Sequence, residues 1–174
     1  MILDLMRLML FPALMAFAAA SDLFTMTISN RVSLLLVAGF AVLAGFGGMG
    51  SHDLLSHLGA GAAVLAVAFT CFAFGWVGGG DAKLAAATGL WFGFDPLLEY
   101  LVYASLFGGA LTLLLLQFRQ LPLPYALGSQ PWLLKLHHKE TGIPYGIALA
   151  LGALMVYPET EWIKAIDLTR LAMH

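Results

Sequence analysis

The sequence predicts an all-α, polytopic membrane protein with about six transmembrane segments, the fourth of them short or broken. Three observations predict it. Of 174 residues, 61% are apolar and only 10% are charged, whereas soluble domains carry about 25% charged residues. The mean hydropathy is +0.90. The apolar residues fall in long runs divided by glycine, proline and polar clusters, and roughly 20 apolar residues make one crossing. The same figures exclude a disordered chain, an ordinary soluble enzyme and a nucleic-acid binder built on basic patches. With 8 Lys+Arg against 10 Asp+Glu, the net charge of −2 implies no strongly charged partner. The lone Cys71 offers neither a disulfide framework nor a cysteine-based zinc site.

The first span, near 2–20, is broken only by Asp4, Arg7 and Pro12. Its small-residue ending, Ala18-Ala19-Ala20, imitates a cleavable signal peptide. Asp4 beside Arg7 leaves the leading region without net positive charge, however, so the span is expected to be retained. A polar stretch over 21–31 leads to the second span, near 32–46, which closes on Gly47-Gly48-Met49-Gly50. The third runs near 54–76 and stops at Gly78-Gly79-Gly80-Asp81. The fourth, near 82–94, is too short to cross as a straight helix. Asp95-Pro96 reads as an N-cap followed by proline at the first helical position, opening the fifth span near 97–118. A loop over 119–141 holds Pro122, Pro124 and Pro131, and the sixth span lies near 143–157. The tail, 158–174, reads as interfacial through Trp162, Ile163 and Ile166. These segments form one integral-membrane domain over 1–174.

Orientation follows from lysine and arginine. The first-to-second, third-to-fourth and fifth-to-sixth connections hold Arg31, Lys83, Arg119, Lys135 and Lys139. The opposite connections hold none, and the termini carry Arg7, Lys164 and Arg170. The loop asymmetry puts the first group in the cytoplasm and both termini outside.

Ionisable residues at membrane depth are costly and mark function or pairing. Asp53 and Glu140 sit in loops, Glu159, Glu161 and Asp167 in the tail, Asp4 at the terminus, and Asp95 and Glu99 at a cap or interface. Asp22 and Asp81 remain, and the alternating topology returns both to the same side and a similar depth. Before Asp81, three glycines permit positive φ and close approach. Irregular backbone at this depth requires a protein-lined or water-filled surrounding. An ordinary capping aspartate after a glycine turn accounts for the same four residues equally well.

The stretch Asp22-Leu23-Phe24-Thr25-Met26-Thr27-Ile28-Ser29-Asn30 resembles the element after the first catalytic span of type IV prepilin peptidases. Gly78-Gly79-Gly80-Asp81-Ala82-Lys83-Leu84 resembles their GxGDxKL element, the mark of GxGD membrane aspartyl proteases. Gly142-Ile143-Pro144-Tyr145-Gly146-Ile147-Ala148 is similar to a late family segment. Ser29 stands where the family has proline. With the first span at its start and Cys71 as its one cysteine, the chain resembles the short, peptidase-only branch of the CpaA/TadV kind, for which no methyltransferase activity is expected.

The resemblance implies a prepilin leader peptidase of the cell membrane, with its active site facing the cytoplasm. Its substrate would be a Flp-type pilin precursor with a basic leader ahead of an apolar helix, in the service of a pilus-assembly machine. Asp22 and Asp81 would share a proton and activate one water, because two close carboxylates cannot both ionise comfortably. Gly78 and Gly80 would let the chain approach the substrate backbone. Lys83 would orient Asp81 or snorkel to lipid phosphate, and Asn30, with Arg31, would cap or anchor the second span. No metal and no other cofactor is expected: His52 and His57 lie on the other side, and His137-His138 are adjacent in a loop. The segment 130–136, with Trp132 and Lys135, suits the membrane interface and could guide a leader. Small residues, including Gly59, Gly61, Ala62, Ala63, Gly108, Gly109 and Gly152, permit close helix packing or a lateral groove.

Two rivals come from other classes. A proton- or ion-coupled transporter would also use paired intramembrane acids such as Asp22 and Asp81, with a glycine-interrupted segment. The halves show no inverted repeat, however, and the acids lie near a boundary rather than the midplane. An assembly protein without catalysis is the other.

Overall fold

The computed structural model describes residues 2–122 and 130–166. Pro124, Asp167 and Arg170 lie outside the described residues. Among those described, the chain is helical and without strands: α1 (Ile2–Thr25), α2 (Asn30–Gly47), α3 (Ser51–Ala73), α4 (Gly79–Phe92), α5 (Leu97–Phe118), α6 (Pro131–His137), α7 (Tyr145–Val156) and α8 (Glu161–Lys164). Helices α1, α2, α3 and α5 are long and apolar enough to cross a membrane. Helices α4 and α7, at 14 and 12 residues, are shorter. The molecule is a polytopic helical membrane protein.

Burial separates the two groups. The long helices expose large apolar side chains, among them Leu34, Phe46, Val67, Leu98 and Leu113, which is how a helix meets lipid. The short ones are packed more deeply, although α7 keeps Leu151 and Met155 exposed. Helix α4 buries every residue from Ala86 to Phe92, and α7 buries Gly146, Ala148, Ala150, Gly152, Ala153 and Val156. Helix α4 packs on α2, α3 and α7, while α7 packs on α1, α4 and α5. Small residues make this possible, since no hydrophobic drive operates between helices in lipid and close van der Waals approach must replace it. A Cβ on Gly152 would stand 2.7 Å from the backbone nitrogen of Ala104, so α5 and α7 touch backbone to backbone there.

An aromatic core anchors the end of the bundle away from the α1–α2 and α3–α4 turns. Phe11 stacks on Tyr157 at 4.4 Å between ring centroids and lies 5.1 Å from Trp91. The Trp91 indole donates to the Leu36 carbonyl at 2.8 Å, and the Trp162 indole donates to the Trp91 carbonyl at 2.6 Å. Trp162, expected at the interface, is therefore a core side chain, because α8 folds its ring back to a carbonyl of α4. Asp95 also departs from expectation. It lies in a turn, Pro96 takes the N-cap position of α5, and no side chain caps that helix.

Candidate active site

Asp22 lies inside α1, which continues to Thr25, five residues beyond the expected end of the first span. It therefore occupies the last helical turn, where the partial negative charge of the helix end opposes a carboxylate, and it is only 5% exposed. Local rules disfavour an anion there twice over. The compensation comes from α7. That helix has Pro144 at its N-cap and no side-chain cap, so its first N–H groups are unpartnered within the helix. Gly146 N–H donates to Asp22 Oδ2 at 2.8 Å, and the positive end of the α7 dipole faces the carboxylate. The bond needs glycine: a Cβ at position 146 would lie 2.8 Å from Asp22 Oδ2 and 2.7 Å from Ile28 Cδ1.

Asp81 sits in the first turn of α4. Its carboxyl turns back toward Gly78, whose backbone N–H it accepts, and a Cβ on Gly78 would come within 2.8 Å of Asp81 Oδ2. Gly80 faces Ile28, 3.1 Å from where its Cβ would be. Ile28 thus wedges between Gly80 of α4 and Gly146 of α7 and spaces the two acidic segments. Gly78 has φ −67°, and no residue from 78 to 80 adopts positive φ. The missing Cβ is what these glycines contribute, rather than a left-handed turn. Asp22 lies close enough to Asp81 for its charge to act on the Asp81 carboxyl.

The supporting residues sort differently. Lys83 Nζ donates to Asn30 Oδ1 at 2.9 Å, joining the starts of α4 and α2 on the exposed side. Lys83 thus reaches Asn30, not Asp81. Ser29 is the N-cap of α2, its Oγ accepting from Arg31 N–H at 3.3 Å, with φ −65°, a value proline also adopts. Nearby, Arg119 is buried and donates to the Leu136 carbonyl from Nε and to the Gly142 carbonyl from its terminal nitrogen, both at 2.8 Å. It ties α6 and the approach to α7 to the end of α5. Trp132 of α6 meets Phe24, two residues beyond Asp22, edge to face at 5.5 Å. Among the described residues, no group of three His, Cys, Asp or Glu side chains could hold a metal ion.

Gly146, Ile28 and Arg119 did not stand out as site residues in the sequence. The late glycine- and proline-containing segment was the signal for Gly146. Ile28 lies within the element from Asp22 to Asn30 but had no signal of its own, and Arg119 left none beyond lying in a connection at the right end.

The architecture defines a class: a polytopic helical membrane protein carrying two neighbouring carboxylates at one end of its bundle. The model of the type IV leader peptidase family matches residues 9–113, more than half of the chain and both aspartates. The chain belongs to that family and is a peptidase. No curated protein and no solved structure matches it.

Proposed function

We propose that this peptidase is an aspartic endopeptidase that removes the basic leader of prepilin-like precursors at the cytoplasmic face of the cell membrane. On this reading it is of the short CpaA/TadV-like kind, and Asp22 and Asp81 are its catalytic pair. The observation that carries the reading is the convergence of two carboxylates from α1 and α4, each steadied by a backbone N–H, Gly146 for Asp22 and Gly78 for Asp81.

The pair holds one proton between them. The ionised member takes a proton from a water molecule as its oxygen attacks the scissile carbonyl, while the protonated member donates a hydrogen bond to the carbonyl oxygen. The tetrahedral intermediate collapses with cleavage of the C–N bond, and a proton passes from the pair to the leaving amine. The acid and base belong to the pair rather than to either residue. The basic connections support the cytoplasmic assignment: Arg31, Lys83, Arg119 and Lys135 lie at the end of the bundle that holds both aspartates. A basic leader stays on that face, which brings the scissile bond to the height of the pair.

Replacing Asp22 or Asp81 singly with Asn, and following precursor size in membranes, tests the reading. Each variant is expected to lose cleavage by at least about a thousandfold, as removal of an acid–base group does, with normal expression and insertion. Full cleavage by either single variant sinks the pairing.

A further inference from the structure

Helix α3 packs extensively against α4 alone and stands apart from α2 on one side and α5 on the other. Two lateral furrows floored by α4 result. The one between α3 and α5, about 690 Å³, is lined by Val67, Ala68 and Cys71 of α3, Asp81 of α4, and Leu101 and Gly109 of α5. The one between α2 and α3, about 510 Å³, ends at Asn30 and Lys83. Among the described residues, Asp81 is the one charged side chain in the first furrow, and Lys83 the one in the second.

We propose that the furrow between α3 and α5 seats the apolar helix that follows the scissile bond, while the furrow between α2 and α3 does not. The proposal rests on the reading of Asp22 and Asp81 as the catalytic pair. Covalent continuity is the first argument. A peptide bond held at Asp81 continues into the furrow that Asp81 opens on, and Asp81 lines the α3–α5 furrow only. Charge is the second. A basic leader is drawn to the mouth that carries a carboxylate and repelled by the one that carries Lys83. Polar satisfaction is the third. Ser105 Oγ already donates to the Leu101 carbonyl at 2.7 Å, and the Tyr145 hydroxyl is paired with Thr112 at 3.0 Å. Below Asp81 these hydroxyls are already partnered, so the furrow suits an apolar occupant. Space is the fourth: a Cβ on Gly109 would meet nothing within 4 Å. The glycines and alanines of the sequence divide accordingly. Gly59, Gly61, Gly108 and Gly152 are filled by Phe94, Leu90, Tyr145 and Ala104 respectively, while Ala63 and the open Gly109 line the furrow.

Cys71, the one cysteine of the chain, supplies the test. The full chain carrying Asp22→Asn keeps a bound precursor whole. It is paired in membranes with precursors that have a lysine-rich leader, an apolar helix of about twenty residues, and one cysteine stepped along that helix. On mild oxidation, disulfides to Cys71 are expected at helix positions three or four apart. A Cys71→Ser, Ala62→Cys enzyme, which moves the thiol to the other furrow, is expected to give none. In the enzyme with both aspartates, Gly109→Leu is expected to raise KM about tenfold with kcat unchanged, the mark of lost binding that substrate and transition state share. Gly45→Leu, on the open side of α2, leaves both constants unaltered. Disulfides to Ala62→Cys in place of Cys71 overturn the proposal, as does the absence of disulfides from both. So does an unchanged KM in Gly109→Leu, which would leave the furrow to lipid. Cleavage that persists in Asp22→Asn overturns the catalytic pair instead, so the two failures are distinguishable.

Discussion

Gly146 shows how much a single missing carbon can govern. As a helix residue it would be better as alanine, by roughly 1 kcal/mol, yet the Cβ would strike both Asp22 and Ile28. Gly146→Ala is therefore expected to leave thermal stability nearly unchanged while cutting kcat about a hundredfold, the effect of a catalytic group displaced by about 1 Å. Equal kcat in the variant would remove Gly146 from the site. Met26 poses the opposite case. It closes α1 at φ 58°, its N–H donating to the Asp22 carbonyl at 2.8 Å, in a conformation that costs a side chain about 1–2 kcal/mol. Met26→Gly is expected to raise stability by about 0.5 kcal/mol, the relief partly offset by the freedom glycine gains when unfolded, as read from the thermal midpoint in detergent. At this scale the two aspartates were legible, because a carboxylate in an apolar run is conspicuous. Gly146 was not legible as the partner of Asp22, because a backbone donor has no side chain to announce it.

Helix α1 is longer than its apolar run suggests, and the difference decides where Asp22 points. The polar residues 21–25 read as a connection, but Thr25 donates to the Ser21 carbonyl at 2.7 Å and Ser21 to the Thr27 carbonyl at 2.9 Å. Hydroxyls thus satisfy the backbone where apolar character ends, and the helix continues. Arg119 plays the comparable part for α7. Its two bonds to carbonyls of α6 and Gly142 hold the approach to Pro144 and Gly146, and each bond from a charged donor is worth about 1.5–3 kcal/mol. Arg119→Ala is expected to lower the unfolding temperature clearly and to weaken cleavage. Arg119→Lys is expected to recover only part of both, since an ammonium lacks the fixed fork that reaches two carbonyls. Full recovery with lysine would count against this role. The short length of α4 was legible from its run of apolar residues. Its interior place was not, because a 14-residue apolar helix has no period that separates lipid from protein.

The pairing of Asp22 with Asp81 belongs to the whole molecule, since α1 and α4 carry the acids and α7 holds one of them. With the pair acting as proposed, the rate depends on pH at both limbs. Below the first titration both carboxyls are protonated and none accepts a proton from water. Above the second, both are ionised and none can donate to the carbonyl oxygen. A bell-shaped profile of kcat/KM is the expected outcome, with the acid and base limbs belonging to the pair. A rate that keeps rising to high pH would speak for a single general base. The sequence by itself determined the membrane class and the helical fold, and it singled out two acids without a structural excuse. It could do so because lipid imposes composition and length on every crossing and makes exceptions costly. Only the tertiary structure decided which helices lie inside, what holds Asp22, where Lys83 reaches, and that Trp162 is core. Those outcomes depend on backbone donors and missing side chains meeting across distant segments, and no local pattern encodes such meetings.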